Sequence, residues 1–342
     1  MSRLFLPLLF LLTSCQALIL GEPEANTPVN NYRLFWEDFD RHYGLFEARG
    51  WNWDSVRVAT EQRVTATTTN EELFAVFRDM VDYLDDSHTF VYWPGRAFFA
   101  GNSEEEERVE AEFDLQLLLR EHVEVIDSSS EEGFLYGHLR ERDIGYLYLS
   151  DVEMSDENFG DRVLDALADR TALLIDLRNN TGGDDNVGAA LAGRFADREA
   201  LVYTVQERNG PEHDDFAAKT SYYLRPQGPR QYTKPVVVLT DKITVSAAEV
   251  FLLYLEPLPH VTRIGTPTSG DFSDTGMRRF LPNGMQYQYS IMQFLRPDGS
   301  SPDGSGHQPD IYVRNSVEDI RAGNDLVLER ALQFLAEEHG IH

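Results

Sequence analysis

Between residues 31 and 88 the apolar positions recur every three or four residues. Phe35, Trp36, Phe39, Tyr43 and Phe46 lie on such a period, and the spacing predicts an amphipathic helix. A second helix is expected over Trp53–Thr65. A third begins after Thr69, where Thr69 and Glu72 fit a capping box. Its Leu73, Phe74, Phe77, Met80, Val81 and Leu84 form one stripe. We read these stripes as core. From 91 to 140 the pattern weakens: AGNSEEEER (100–108) reads as a solvated loop, EFDLQLLL and HVEVID as strands, and 128–133 as a turn.

From Ile144 the pattern alternates. Ile144–Ser150 reads as a strand and 155–170 as an amphipathic helix. Ala172–Leu177 is a continuous apolar run, the kind buried on both faces of a parallel or mixed sheet. A glycine loop and a helix over 187–195 follow. Then come the strand Val236–Leu239, an apolar stretch after Ser246, and the strand Val261–Gly265. Pro282–Gly284 marks a turn between two alternating strands, and a helix over 324–338 closes the pattern. Strands alternating with helices imply the α/β class. The length of 342 residues suits two domains, or one with a sizeable appendage.

Charge changes the picture of partners. The chain carries 58 acidic against 30 basic residues, a net −28. Such a surface repels phosphate backbones, so nucleic acid is not expected as a partner. A soluble, self-repelling surface is enough to account for the charge.

Arg3 precedes an apolar run, Leu4–Leu12, too short to span a membrane as a stable helix. It ends in Leu12-Thr13-Ser14-Cys15, and Cys15 is the only cysteine. This resembles the bacterial lipoprotein signal, which implies a signal over 1–15, lipid on Cys15 and a linker over 16–30. The expected place is the bacterial cell envelope, tethered to the outer membrane and facing the periplasm. An ordinary secretory signal with a chance cysteine is the alternative. A single cysteine excludes an intrachain disulfide.

Ser246 sits in TDKITVSAAEVF (240–251), where a buried strand turns into an apolar stretch. A helix N-terminus offers free backbone N–H groups and a positive dipole end. A serine oxygen there can attack a carbonyl, and the next amides can meet the oxyanion. By themselves these residues are also an ordinary helix start, with Thr244 as the cap. Gly182-Gly183 ends another buried strand and lets backbone amides approach a ligand, or simply makes a tight turn. P-loop residues and dinucleotide glycine spacing are absent, so no nucleotide cofactor is expected. Of nine histidines, His88 alone is bracketed by hydroxyls (Ser87, Thr89) and carboxylates (Asp85, Asp86). It reads as a base with partners to fix its tautomer, or as a helix-end histidine favoured by the dipole. With no H-E-x-x-H and no cysteine pair, no metal is expected.

Five segments follow one another in a familiar order: LIDLRNNTGG (174–183), VVVLTDKITVSAAEVF (236–251), RIGTPTSG (263–270), LPNG (281–284) and DGSGHQPDIYV (303–313). With LDDSHT upstream, the chain resembles the C-terminal-processing (tail-specific) serine proteases and their tricorn-core-like branch. The resemblance implies a crotonase/ClpP-like α/β core over 144–342, an N-terminal helical subdomain over 31–95, and a connecting β/loop region over 96–143 too short for a full PDZ domain. It implies peptide or protein substrates and no cofactor. Ser246 matches the nucleophile. Ala247 would give one oxyanion N–H, and Gly182 or Gly183 the second. The tail-specific lysine is replaced by Asp271. Ser87-His88 instead matches the serine-histidine pair of the tricorn branch, with His88 as base. An imidazole can fill that role at neutral pH, where a lysine needs its pKa depressed. The late acid falls on Asp303, one methylene shorter than the family's glutamate, and is expected to orient Ser87 or His88. Asp271 and Asp274 are the alternative acids. A non-catalytic peptide- or ligand-binding lipoprotein on the same fold is the competing reading, and esterase chemistry a third.

Overall fold

The computed structural model describes residues 24–102 and 109–342; the signal and Cys15 lie outside the described residues. The described chain opens with α1 (Pro28–His42), α2 (Phe46–Arg49), α3 (Trp53–Thr60) and α4 (Asn70–Asp82). α1 starts within the expected linker, because Thr27 caps it and Pro28 stands in its first turn, where a missing N–H costs nothing. α4 has the expected capping box between Thr69 and Glu72. β1 (Phe90–Trp93) and β2 (Ala97–Ala100) follow as a hairpin.

Phe35, Phe39, Trp53 and Phe77 form one buried cluster, which also takes in Leu281, Met285, Tyr287 and Tyr289. Residues 279–288 return from far along the chain, and Phe90–Tyr92 pair with Gln288–Gln286. The helical subdomain is therefore not continuous in sequence, contrary to a boundary at 95.

α5 (Leu115–Glu121) leads into β3 (Val123–Ser129) and β4 (Phe134–Leu139). The segment around α5 was expected to be a strand. Asp114 caps it as a helix, accepting from the Gln116 N–H, while Leu117 and Leu118 are buried. A run of leucines lacks strict alternation, so the cap decides. Next come β5 (Ile144–Leu149), α6 (Phe159–Leu167), β6 (Ala172–Asp176) and α7 (Asp185–Ala192). After β7 (Ala200–Glu207) and β8 (Thr220–Leu224) come β9 (Val236–Thr240), α8 (Ala247–Leu255) and β10 (Val261–Gly265). The returning hairpin is β11 (Arg279–Phe280) and β12 (Gln286–Gln288). β13 (Met292–Leu295), β14 (Ile311–Tyr312), α9 (Val317–Arg321) and α10 (Leu326–His339) complete the chain.

The main sheet has seven strands in the order β14-β10-β9-β6-β5-β4-β3. It is parallel from β5 through β6, β9 and β10 to β14. β3 and β4 extend it antiparallel, so the strands of the 96–143 region join the main sheet. Every residue of β5, β6 and β9 is buried. Successive side chains point to opposite faces. Leu173, Ile175 and Val238 pack with Phe251 and Leu253 of α8. Leu174, Val237 and Leu239 pack with Val327, Leu328 and Leu335 of α10.

All nine residues of α8 are buried, which explains why its sequence has no polar face. Each large aliphatic side chain there contributes about 2 kcal/mol. Among the described residues no helix is long and apolar enough to cross a membrane. β6 and β9 are neighbours, and their C-terminal ends deliver Gly182-Gly183 and Ser246 to the same edge of the sheet, where ligands bind in open α/β folds.

Candidate active site

The turn from β9 to α8 is tied together by Asp241. Its Oδ1 accepts from the Ile243 and Thr244 N–H groups, and its Oδ2 from the Asn179 N–H of the loop after β6. Thr244 is not the helix cap: it is buried, and its hydroxyl donates to the Leu177 carbonyl at 2.9 Å. The N-cap position falls on Ser246, whose side chain caps nothing. The Ser246 backbone has φ 59° and ψ −126°. Holding a non-glycine residue there costs about 1–3 kcal/mol. A similar strained strand-to-helix turn exposes the serine of a nucleophile elbow.

The Glu249 and Val250 N–H groups bond the Ser246 carbonyl, and Ala248 bonds Val245. The Ala247 N–H has no hydrogen-bond partner among the described residues. Gly182 packs directly on the serine: a Cβ there would stand 2.7 Å from the Ser246 Cβ and 3.2 Å from its Oγ. Of the two glycines, Gly182 is committed, its N–H donating to Asn180 Oδ1 at 2.9 Å. The Gly183 N–H has no partner among the described residues, and Gly183 lines a cleft of about 620 Å³ together with Ser246. The available donors are thus Ala247 and Gly183.

Ser87 and His88 sit in a turn built around buried Asp86. Asp86 Oδ1 accepts from the His88 N–H at 3.0 Å, and Oδ2 from the Tyr43 and Thr89 hydroxyls. His88 Nδ1 is buried without a hydrogen-bond partner among the described residues. The acid that reaches this turn is Asp271. Its Oδ2 accepts from the Ser87 hydroxyl at 2.7 Å, the Ser87 N–H at 3.2 Å and the Ser269 hydroxyl at 2.8 Å. Arg49 forms a buried ion pair with Asp271 and also donates to the Gly270 carbonyl. Burial alone would raise the Asp271 carboxyl, but Arg49, His88 and the hydroxyls of Ser87 and Ser269 outweigh it and hold the group below the usual carboxylate range.

Asp303, expected to orient Ser87 or His88, bonds neither. It accepts from the Phe272 N–H at 3.3 Å, the Phe294 N–H at 3.4 Å and the Ser301 hydroxyl at 3.1 Å. Burial raises its carboxyl to about 7, against the pull of Arg49. Its shorter side chain is used up bracing the backbone next to Asp271. Asp274 lines the cleft.

Glu249 was not anticipated. It lies one turn past Ser246 and is fully buried. Its carboxyl accepts from the Thr268 hydroxyl and from the Gly270 and Asp271 N–H groups at 2.8 and 2.9 Å. Burial pushes that carboxyl up to about 8, against these donors. Glu249 joins the helix behind Ser246 to the loop bearing Asp271. Its sequence signal was a carboxylate inside an otherwise apolar helix. Arg49 had no such signal, being 222 residues from Asp271. Lys242, the lysine nearest Ser246 in sequence, donates to the Ser269 carbonyl at 3.0 Å. Among the described residues no group of three His, Cys, Asp or Glu side chains converges to hold a metal ion.

Residues 143–313 match the profile of peptidase family S41, and residues 25–82 match the tricorn protease C1 domain. A protein from Parabacteroides merdae assigned as a candidate peptidase superposes with a TM-score of 0.82 at 25% identity, covering 92% of this chain and 99% of its own. Mature CPAF gives 0.67 at 12% identity, over 92% and 99% of the two chains. The tricorn protease gives 0.53 at 15% identity, over 91% of this chain and 37% of its own.

Proposed function

The chain belongs to peptidase family S41, and we propose that it hydrolyses peptide bonds through an acyl-enzyme on Ser246. His88 accepts the Ser246 proton as Oγ attacks the scissile carbonyl. The oxyanion is met by the Ala247 and Gly183 N–H groups. His88 then returns the proton to the leaving amine as the C–N bond breaks. A water attacks the ester by the reverse route and frees Ser246. Asp271, holding Ser87 by hydroxyl and N–H, positions the turn that carries His88.

The observation that carries this reading is the backbone of Ser246. A serine in a conformation suited to glycine, resting on Gly182 beside two unpaired N–H groups, has no role in helix capping. A binding protein on this fold would have no need of that strain.

The test is to assay wild type, Ser246→Ala and His88→Ala against a mixed peptide library and a simple ester panel, with labelling by a serine-reactive phosphonate. Wild type cleaves and labels; Ser246→Ala does neither. A wild-type protein that neither labels nor cleaves refutes the proposal and favours the ligand-binding alternative. Ester turnover without peptide cleavage favours an esterase.

We also propose that the protein works in the bacterial cell envelope, tethered by lipid on Cys15 to the outer membrane and facing the periplasm. Support comes from the apolar run Leu4–Leu12 and the Leu-Thr-Ser-Cys sequence that ends it. Metabolic labelling with a fatty-acid probe and fractionation of wild type and Cys15→Ser test this. Unlabelled wild type would refute it.

A further inference from the structure

Among the described residues, the cleft at Ser246 is lined by carboxylates and by no cationic side chain. Glu153, Asp184, Asp185 and Asp274 line it, and among the described residues no lysine, arginine or histidine does. Asp184 is occupied in part by its own helix, accepting from the Asn186 N–H. The other three carboxylates have no hydrogen-bond donor or cationic partner among the described residues. Some surface carboxylates elsewhere do have a cationic partner: Glu112 takes Arg314, Glu199 takes Arg225 and Asp79 takes Arg63. Asp185 is half-buried. Burial, then the charges of Asp274 and Asp184, push its carboxyl up to about 7. An arrangement of this kind is relieved when a cation enters.

The shape narrows the cation. No three of these groups converge on a metal-sized site. They are spread along a cleft of about 620 Å³ whose other walls include Met154, Val187 and Phe272; Met154 and Phe272 are themselves buried. Lysine and arginine side chains combine an apolar stem with a charged head. A peptide amino terminus has the charge without the stem.

We infer that this cleft selects peptides bearing a lysine or arginine side chain next to the scissile bond, with Asp185 and Asp274 as the specificity-determining carboxylates. This rests on the peptidase reading. The test uses peptide pairs that differ only in lysine against norleucine, or arginine against citrulline, each with a free and an acetylated amino terminus. Two quantities are read: kcat/KM on the wild type, and affinity for Ser246→Ala. The cationic member is preferred by about tenfold or more in both, as expected for a charge-assisted contact, and acetylation makes no difference. The ratio within each pair falls toward one in Asp185→Asn and in Asp274→Asn. Because Asp274 is exposed, its variant carries the test if Asp185→Asn does not fold. Equal treatment of the pairs, a preference that survives both substitutions, no binding of any peptide, or dependence on a free amino terminus each overturns the inference. If wild type neither cleaves nor labels, the peptidase reading has failed, and the affinity arm still decides this one.

Discussion

Gly182→Ala is the sharpest perturbation of the site that removes no functional group. Two separate costs apply. Gly182 has φ +94°, and a left-handed conformation costs an alanine about 1–2 kcal/mol. Its new Cβ would also stand 2.7 Å from the Ser246 Cβ and 3.1 Å from the Val245 carbonyl oxygen. Overpacking of that kind costs about 1–3 kcal/mol more. Gly284 separates the two terms: its φ is +86°, and a Cβ there meets nothing within 4 Å. Gly284→Ala is therefore expected to lose about 1–2 kcal/mol, and Gly182→Ala about 2–5 kcal/mol, in urea unfolding followed by fluorescence and circular dichroism. Function discriminates further. Restoring an ordinary 3.4 Å contact moves the serine by about 0.7 Å, and misplacement on the 1 Å scale costs roughly 100-fold. Phosphonate labelling of Ser246 should slow by roughly 10- to 100-fold in Gly182→Ala and stay near wild type in Gly284→Ala. If the two variants match in stability and in labelling rate, the close approach of Gly182 to Ser246 is not what demands glycine there.

Ser87→Ala and Asp271→Asn should each lower kcat more than Asp303→Asn does, because Asp271 holds the Ser87 hydroxyl; the reverse order would restore Asp303 as the orienting acid. Asp271→Asn also strands Arg49 and should cost about 3–5 kcal/mol in denaturant. The Asp271 pKa is depressed by folding, so its stabilisation is present above the ordinary value and lost as pH falls through the folded one; the variant should lose less stability than wild type on acidification. For Asp303 the sign is opposite. Its carboxyl rises to about 7 on folding, so its stabilisation is complete below its unfolded pKa and fades as pH rises through about 7. Urea midpoints measured from pH 5 to 8 should therefore fall more in wild type than in Asp303→Asn. Arg178 is buried between Asp176 and Asp325, and Arg178→Met should cost about 3–5 kcal/mol by leaving two carboxylates uncompensated; a loss under 1 kcal/mol would mean the network is dispensable.

The elements were most legible in the sequence where periodicity was strong and caps were explicit. α4 could be placed from Thr69, Glu72 and one apolar stripe, and β6 and β9 from unbroken apolar runs. The Leu115–Glu121 segment misled because leucines suit helix and strand alike, and only the Asp114 cap tips the balance. The hairpin over 279–288 was legible as a hairpin from its Pro-Asn-Gly turn. Its attachment to the helical subdomain was not, since nothing local tells Tyr287 and Tyr289 that their core lies with Phe35 and Phe39.

The same division runs through the site. Ser246, Gly182-Gly183 and Ser87-His88 were visible in the sequence because each is a local device: a strand-to-helix turn, a backbone needing glycine, a polar cluster after a helix. The family resemblance proposed a relation among them. Which acid reaches Ser87 depends on how Arg49, Ser87, Ser269 and Asp271, distant in sequence, are brought into one buried cluster. Which glycine has a free N–H depends on where Asn180 points. Those answers lie in side-chain geometry between separate loops. A carboxylate acts on whatever lies within hydrogen-bond reach, and that reach is set by packing and not by position along the chain.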